Sequence, residues 1–255
     1  MFSLAGKVAL VTGSSRGIGK AIIEQMANAG AKVVVSSRKA DACERVAAEF
    51  AARGQEAIAV PCNVGSKDEL KKLVDAVMAK WGRIDVLVCN AASNPAYGPM
   101  ANASDEVFDK IMLTNVKSVF WLANMVLPQM GSRRDGAMII ISSIGALRGS
   151  SALGLYATSK AAEAGMCRAL ACEWGPKNVR VNSIAPGLIR TDFARALWED
   201  DTKRKAREAL TPLRRIGEPK DIGAIAVFLA SDAASFITGQ MIVADGGVTI
   251  AGERG

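Results

Sequence analysis

Histidine is absent from this chain of 255 residues, and tyrosine occurs only twice. Without imidazole, the sequence excludes histidine-based catalytic triads and zinc sites that need a histidine ligand. Proton transfer must therefore use tyrosine, lysine, carboxylates or water. The five cysteines lack metal-ligand spacing, so we expect no metal site and reduced, mostly buried thiols in a reducing compartment.

Long apolar runs are also missing, and we expect none to cross a bilayer. The uncharged stretch 118–132 contains Pro128 and is typical of a buried helix. Residues 1–7 leave no room for a signal peptide, and the terminal Glu253-Arg254-Gly255 is not an organelle address. We therefore expect a cytoplasmic protein without a membrane partner. The net charge of +7 comes without a basic run, so we expect no nucleic-acid partner.

Half of the residues are hydrophobic, which suits a single α/β domain spanning 1–255. Short β-branched runs alternate with helical stretches, and this alternation predicts a doubly wound parallel sheet. One helix is expected to begin after Ser66 as N-cap, with Glu69 completing a capping box. The predicted strands are 7–12, 32–36, 57–61, 84–89, 137–142, 179–184 and 240–244, and the predicted helices are 17–29, 40–53, 66–81, 104–130, 155–174 and 219–231.

Two predicted loops, 91–103 and 187–212, follow strand ends, where open α/β sheets bind ligands. The second is apolar in its first half and charged in its second, which favours a substrate lid at about 187–212. Its apolar residues predict an apolar pocket together with Pro95, Tyr97, Met100 and Leu147. Packing of the lid itself, or a subunit contact, is the alternative.

Glycines cluster between the first strand and the first helix in the spacing Gly-x-x-x-Gly-x-Gly. They let the backbone approach a pyrophosphate, while the helix N-terminus supplies free N–H groups and a favourable dipole. An ordinary tight turn is the alternative, but the strand before and the helix after favour a nucleotide site. The residues expected to form it are Gly13, Ser15, Arg16, Gly17, Ile18 and Gly19.

The end of the second strand reads Ser36-Ser37-Arg38-Lys39 and lacks the carboxylate that would hold a ribose 2′-hydroxyl. Arg38, next to Ser37, can instead face a 2′-phosphate, and Arg16 could approach the same group. Two solvated arginines are the alternative. The sequence therefore favours NADP(H), with NAD(H) as the second choice.

Tyr156 and Lys160 are expected one turn apart on one helical face. A lysine ammonium beside a phenol lowers the pKa of the phenol, which makes tyrosine a usable proton donor and acceptor. An amphipathic helix with a snorkelling lysine is the alternative.

The chain resembles the short-chain dehydrogenase/reductase family over essentially its whole length. The resemblance rests on the order and spacing of residues 12–19, Asn90-Ala91-Ala92, Asn115, Ser142-Ser143, Tyr156 to Lys160, and Pro186-Gly187 with Thr191. It implies a Rossmann-type fold with a seven-stranded parallel sheet, a nicotinamide cofactor and a homotetramer.

The resemblance also implies residue roles. Tyr156 would be the catalytic acid/base, Lys160 would lower its pKa and bind the nicotinamide ribose, and Ser143 would hydrogen-bond the substrate oxygen. Asn115 would hold a water that links Lys160 to solvent. The alternatives are a strand-end cap for Ser143 and an amide satisfied by backbone for Asn115. Cofactor contacts are implied for Gly13, Ile18, Gly19, Asn63, Val64, Asn90, Ala91, Pro186, Gly187, Ile189 and Thr191. Asn63 departs from a frequent Asp, and Ala92 from a frequent Gly.

Three functions stay open on this basis. The first is an NADPH-dependent reductase that transfers a hydride between nicotinamide and a ketone or secondary alcohol. The second is a 3-oxoacyl-acyl-carrier-protein reductase of fatty-acid synthesis, in which Arg133, Arg134 and Lys177 could receive an acidic acyl carrier protein. The third is a nucleotide-binding sensor without turnover, against which the intact set of Asn115, Ser143, Tyr156 and Lys160 argues.

Overall fold

Seven parallel strands form the central sheet of this structure, a computed structural model that describes residues 1–251. In space they follow the order β3-β2-β1-β4-β5-β6-β7. This order confirms the predicted doubly wound, Rossmann-type sheet. The strands in the described part of the chain are β1 (Val8–Thr12), β2 (Lys32–Ser36), β3 (Ala57–Ala59), β4 (Val86–Cys89), β5 (Gly136–Ile141), β6 (Val179–Pro186) and β7 (Met241–Ala244).

Helices cover both faces of the sheet, so strand residues are buried on either side. In β1, Ala9 and Val11 belong to one apolar cluster with the helices at 17–28, 40–51 and 219–230, while Val8 and Leu10 belong to a second with the helices at 67–81, 118–133 and 154–174. This alternation follows from the two-residue period of a strand. The helices are α1 (Gly17–Asn28), α2 (Ala40–Ala51), α3 (Lys67–Trp81), α4 (Asp105–Met112), α5 (Ser118–Arg133), α6 (Gly154–Trp174), α7 (Asp201–Leu210) and α8 (Pro219–Ala230).

The predicted helix 104–130 is not regular throughout. Ser104 is its N-cap and accepts a hydrogen bond from the Val107 backbone N–H. Between α4 and α5, however, residues 113–117 are π-helical, and α5 continues to Arg133. The π segment contains Asn115, and such segments are frequent at functional sites.

The continuous helix Asp105–Arg133 is long and apolar enough, by length and composition alone, to cross a membrane. This finding differs from the expectation that no run of the chain would be long and apolar enough to cross a bilayer. Half of its qualifying window is buried inside the fold, where Val126 and Leu127 pack in the core beneath the sheet. Helices of the protein core meet the same criterion, so the finding is weak evidence for a membrane span.

The capping box predicted for α3 forms only in part. Ser66 Oγ accepts a hydrogen bond from the Glu69 N–H at 3.3 Å, as predicted. The Glu69 carboxylate accepts instead from the Asn63 N–H at 2.7 Å, because the Ser66 N–H already donates to the Asn63 carbonyl. Glu69 therefore holds the loop that carries Asn63.

Residues 187–212, predicted as a loop, contain regular structure. A 3₁₀ helix spans Asp192–Leu197, and α7 follows with Asp200 as N-cap, accepting from the Lys203 N–H at 2.8 Å. The prediction missed α7 because its charged residues leave no buried apolar stripe to mark a helix.

All five cysteines are free thiols and only Cys172 is exposed, which confirms the expectation of mostly buried thiols. The terminal tripeptide 253–255 lies outside the described residues.

Candidate active site

The glycine turn lies at the carboxyl ends of β1 and β4, where the strand order reverses. Asn90 donates from Nδ2 to the carbonyls of Thr12 at 2.9 Å and Gly13 at 3.1 Å. In return, Thr12 Oγ1 accepts from the backbone N–H groups of Asn90 and Ala91. Thr12 and Asn90 therefore join the two strands at this edge, and the prediction singled out only Asn90 and Ala91.

Close packing makes glycine necessary in this turn. Gly13 has a φ of +68°, which side chains disfavour, and a Cβ on Gly19 would lie 2.3 Å from the Gly13 carbonyl oxygen. Arg16 is the N-cap of α1 without a side-chain cap, and no acidic residue stands in the first turn. The first N–H groups of α1 are thus left available to an anion such as a pyrophosphate. Ser15, Gly17 and Ile18 complete the turn and are partly buried.

The ends of β2 and β3 would receive the adenosine half of a dinucleotide. Arg38 is exposed there, while the Ser37 hydroxyl lies 3.1 Å from Cys43 Sγ. Asn63 Oδ1 accepts from the Gly65 N–H at 3.2 Å, and Val64 is buried. Ser14, which the prediction missed, is buried and its Oγ accepts from the Ser36 N–H at 2.9 Å, so it connects the glycine turn to β2.

Tyr156, Lys160 and Ser143 come together above the carboxyl end of β5. The Lys160 ammonium lies 5.6 Å from the centre of the Tyr156 ring and donates to the Ile141 carbonyl at 2.9 Å. Ser143 follows β5, and its hydroxyl lies on the side of the Tyr156 phenol, where it acts to lower the pKa of that phenol. Its Oγ also accepts from the Gly145 N–H at 3.1 Å, which is the capping contact expected as the alternative. The geometry thus combines a proton donor, a cation and a hydroxyl at one point.

Glu163 is a further buried residue of this site, and the sequence prediction missed it. The Lys160 ammonium donates to its two carboxylate oxygens at 2.8 and 3.1 Å, and both side chains are only 2% exposed. The available signal was its position three residues after Lys160, on the same helical face. An acidic residue on an alanine-rich helix is otherwise typical of a solvated surface.

Burial dominates the proton affinities of these groups. Burial raises the pKa of Tyr156, and although the Lys160 charge lowers it, Glu163 raises it again, so the pKa stays above its ordinary value. Lys160 therefore acts on the phenol in the expected direction, but burial together with Glu163 raises the pKa of Tyr156 by more than Lys160 lowers it. Burial lowers the pKa of Lys160, but the charges of Glu163 and Tyr156 raise it more. Burial also raises the pKa of Glu163 to about 7, although the charge of Lys160 acts to lower it.

Both polar atoms of the Asn115 side chain form hydrogen bonds with other protein groups. Its Oδ1 accepts from the Ser93 N–H at 2.8 Å, and its Nδ2 donates to the Ser93 carbonyl and to Ser159 Oγ. These bonds connect the loop after β4 with α6 and match the alternative of a satisfied amide. The water relay implied for Asn115 stays a prediction.

The chain after β6 reaches the glycine turn at Thr191 and Asp192. Pro186 ends β6, the Gly187 N–H donates to the Ala244 carbonyl at 2.9 Å, and the buried Ile189 pairs with Gly217 in a β-bridge. Further on, the Thr191 methyl lies next to Gly17. The Arg16 guanidinium lies 3.8 Å from the Asp192 carboxylate and pairs with it, not with a group at the end of β2. The predicted lid therefore contacts the predicted pyrophosphate site.

A cavity of about 120 Å³ lies between loop 91–103 and the start of α6. Tyr97 and Met100 line it, as predicted, and so does Tyr156. Pro95, Leu147 and the residues of the predicted lid are not among its lining residues. The Asn94 Oδ1 atom is buried beside it without a hydrogen-bond partner among residues 1–251. The lining thus combines apolar side chains with the polar groups of Asn94, Asn102 and the two tyrosines, which is typical of a small-molecule site. Within the same residues, no group of three or more Cys, Asp or Glu side chains could hold a metal ion.

Residues 13–249 match the family model described as enoyl-(acyl carrier protein) reductase. The chain is 42% identical over 244 residues to dehydrogenase/reductase SDR family member 4 of Sus scrofa, covering 96% of this chain and 88% of that protein. A gluconate 5-dehydrogenase from Burkholderia cenocepacia, in complex with NADP and tartrate, superposes with a TM-score of 0.94 at 31% identity and 98% coverage of both chains. A 7α-hydroxysteroid dehydrogenase complexed with NADH and 7-oxo glycochenodeoxycholic acid does so with a TM-score of 0.92 at 38% identity, covering 96% of this chain and 95% of that one.

These similarities extend over nearly the whole chain, and the glycine turn fits the dinucleotides that the two solved relatives contain. Because Gly19 has no Cβ, the start of α1 can pack closely against the turn that follows β1. The first turn of α1 also has no side-chain cap. The chain therefore belongs to the short-chain dehydrogenase/reductase family, whose members are oxidoreductases that act on CH–OH or C=O groups with a nicotinamide cofactor.

Proposed function

We propose that this chain is an NADP(H)-dependent oxidoreductase that interconverts ketones and secondary alcohols, with Tyr156 as the acid/base. The observation that carries the proposal is the meeting of Tyr156, Ser143 and Lys160 beside a cavity at the ligand-binding edge of the sheet. A nucleotide-binding sensor would have no need for a buried lysine beside a phenol that lines a cavity.

A bound nicotinamide ring supplies the hydride in reduction and receives it in oxidation. In reduction, Tyr156 donates its phenolic proton to the carbonyl oxygen as negative charge develops on that atom. Ser143 donates a second hydrogen bond to the same oxygen, as in an oxyanion hole. In oxidation, the Tyr156 phenolate removes the alcohol proton, and Lys160 stabilises that phenolate by its charge. Gly13, Gly19, Asn90 and Thr191 would position the cofactor.

Two arginines support NADP(H) over NAD(H). Arg38 is exposed at the end of β2, where residues 36–39 include no carboxylate, so its guanidinium is free to pair with a 2′-phosphate. Arg16 would have to leave Asp192 to reach the same phosphate, and an exposed ion pair of this kind is weak. The solved relatives contain NADP in one case and NADH in the other, so NAD(H) remains the alternative.

The cavity favours a small or medium ketone with a mainly apolar body and one hydroxyl or N–H group that donates to Asn94 Oδ1. A panel of simple ketones, cyclic ketones and polyols, followed by NADPH absorbance with matched NADH assays, tests the proposal. We expect turnover of at least one cyclic or medium-chain ketone with NADPH. Lack of turnover on the whole panel, in both directions and with both cofactors, would contradict the proposed activity.

A 3-oxoacyl-acyl-carrier-protein reductase is the second candidate. The matching family model is described as an enoyl reductase, which acts on a different bond of an acyl-carrier-protein substrate, and this shared substrate class favours keeping the candidate. Of the basic residues considered for an acidic carrier protein, Arg133 is held internally by Asp85 and the Ile84 carbonyl, while Arg134 and Lys177 are more exposed. A 3-oxoacyl thioester in the same panel separates the two candidates. If the thioester is not reduced at high enzyme concentration, the second candidate fails.

We also infer that the protein works as a homotetramer in the cytoplasm. Large apolar side chains, Phe108 on α4 and Phe120 on α5, are about half exposed, and Ala161 and Ala169 on α6 would permit close helix contact. Exposed apolar side chains on neighbouring helices are typical of subunit contacts. Light scattering measures the assembly, and the cellular fraction that contains the protein tests the location.

A further inference from the structure

Lys160 and Glu163 form an ion pair that is unlike the others in residues 1–251. In every other pair at least one side chain is at least 23% exposed, whereas here both are 2% exposed. A buried ion pair adds little net stability, because removing both charges from water offsets their attraction. Lys160 lies one turn and Glu163 two turns along α6 from Tyr156, and this position points to a role in the site rather than in folding.

The titratable groups around Glu163 come from two elements. Tyr156 and Lys160 lie on its own helix, and Cys89 faces it from the end of β4. The end of β5 contributes only neutral groups, the Ile141 carbonyl to Lys160 and the Ser142 hydroxyl near Glu163. Burial raises the pKa of Cys89 and keeps its thiol neutral. The carboxylate therefore interacts electrostatically with Lys160 and, beyond it, with Tyr156.

The geometry also restricts the lysine. An ammonium has three N–H groups, of which the Ile141 carbonyl takes one and the Glu163 carboxylate at least one. No more than one N–H is left for a ribose hydroxyl or another partner. Glu163 therefore limits both where the ammonium can point and how much of its charge the phenol experiences.

We propose that Glu163 is a positioning residue that holds Lys160 in place and, while ionised, cancels the lysine charge at Tyr156, so that the phenol ionises only at a higher pH. When Glu163 takes up a proton, the full charge of Lys160 acts on the phenol. The inference rests on the proposed role of Tyr156 as acid/base, but its electrostatic part holds for the protein without turnover.

Titration of the phenol tests the electrostatic part directly. The chain has two tyrosines, so Tyr97→Phe leaves Tyr156 as the single phenol whose ionisation ultraviolet absorbance reports. In this background we expect Glu163→Gln to lower the midpoint of phenolate formation by about one pH unit or more. Glu173→Gln removes the same charge from an exposed position on α6 and should leave the midpoint unchanged. An unchanged or higher midpoint with Glu163→Gln overturns the proposal.

The dependence on Lys160 gives a second test. In a Lys160→Met background the unpaired buried carboxyl is protonated, so adding Glu163→Gln should shift the midpoint by much less than it does in the presence of the lysine. An equal shift in both backgrounds would show that Glu163 does not act through Lys160. If Glu163→Gln fails to fold, the midpoint of phenolate formation in the Tyr97→Phe protein serves as the test. A midpoint below the ordinary value of about 10 for a phenol contradicts the proposal.

Activity supplies a readout that a merely structural role would not change. The logarithm of the alcohol oxidation rate should rise with pH, level off as Glu163 ionises near pH 7, and rise again as the phenol ionises. The Glu163→Gln enzyme should show one rise that ends at lower pH. A two-step profile in both proteins overturns the proposal. If the titrations succeed and no alcohol is oxidised, the proposed function fails while the electrostatic part of the inference holds.

Discussion

The ring of Phe193 lies against the ring of Tyr156, with centroids 6.2 Å apart and planes tilted by 44°. Phe193 belongs to the 3₁₀ helix that follows β6, and its side chain is 57% exposed. A substrate whose oxygen meets the phenol must therefore share the adjoining space with the Phe193 ring. We therefore propose that the segment after β6 forms one side of the substrate site.

Phe193→Ala should weaken the binding of bulky apolar ketones. Loss of the aromatic surface is expected to raise KM by about 5- to 50-fold, with a smaller change in kcat, because the proton donor stays in place. Steady-state kinetics on a small and a bulky ketone measure the difference. Phe2→Ala removes an equally exposed ring far along the chain and serves as control. Equal KM values for wild type and Phe193→Ala would contradict a role of this ring in specificity.

Tyr156→Phe removes the phenolic proton but keeps the ring. We expect kcat to fall by about 10²- to 10⁴-fold, the usual contribution of a positioned acid/base. Cofactor affinity, measured by calorimetry or by quenching of tryptophan fluorescence, should be retained because the glycine turn and α1 are untouched. Residual activity close to wild type would exclude Tyr156 as the proton donor.

Arg38→Asp should reverse the cofactor preference. The substitution removes the cation that would pair with the 2′-phosphate and adds a carboxylate that can accept a hydrogen bond from a ribose 2′-hydroxyl. We expect KM for NADPH to rise by about 10- to 100-fold and KM for NADH to fall. Arg45→Asp makes the same charge change on an exposed position of α2 and should alter neither value. Unchanged NADPH kinetics in Arg38→Asp would argue against NADP(H).

Glu163 should make stability depend on pH in a range where few other groups titrate, because the chain has no histidine. Its pKa is near 4.5 when free and about 7 when folded, so folding takes up a proton between these values. The resulting stabilisation is complete below pH 4.5 and is lost as pH rises through about 7.

We expect the free energy of unfolding to fall by roughly 2–3 kcal/mol between pH 5 and pH 8. Glu163→Gln should remove that part of the slope. Urea unfolding at both pH values measures it, and a slope that is the same in the two proteins would show that Glu163 does not titrate in this range.

Phe120→Glu should disrupt the proposed assembly. A carboxylate on this exposed position of α5 would have to lose its hydration at a subunit contact, which is unfavourable without a partner charge. Light scattering should then report a species smaller than a tetramer, while Phe2→Glu should leave the mass unchanged. A tetramer that persists in Phe120→Glu would place the contact elsewhere.

The sheet was predictable because its strands carry continuous apolar runs and its helices end at recognisable caps. β2 has the predicted bounds, Ser66 is the predicted N-cap of α3, and the helix predicted to begin at residue 104 starts with Ser104 as its N-cap. The π segment at Asn115 and helix α7 were not predictable. The first depends on contacts of Asn115 with Ser93 and Ser159, which lie far along the chain, and the second has no apolar stripe.

At the site, spacing alone determined that Tyr156 and Lys160 lie on one face of a helix, and that a glycine turn joins the first strand to the first helix. Only the tertiary structure decided that Glu163 is buried against Lys160 and that burial keeps the pKa of Tyr156 high. The physical reason is that local periodicity sets which side chains share a face. Whether that face meets water or the interior depends on elements distant in sequence, here β4 and β5, and this burial controls the energies of charged groups.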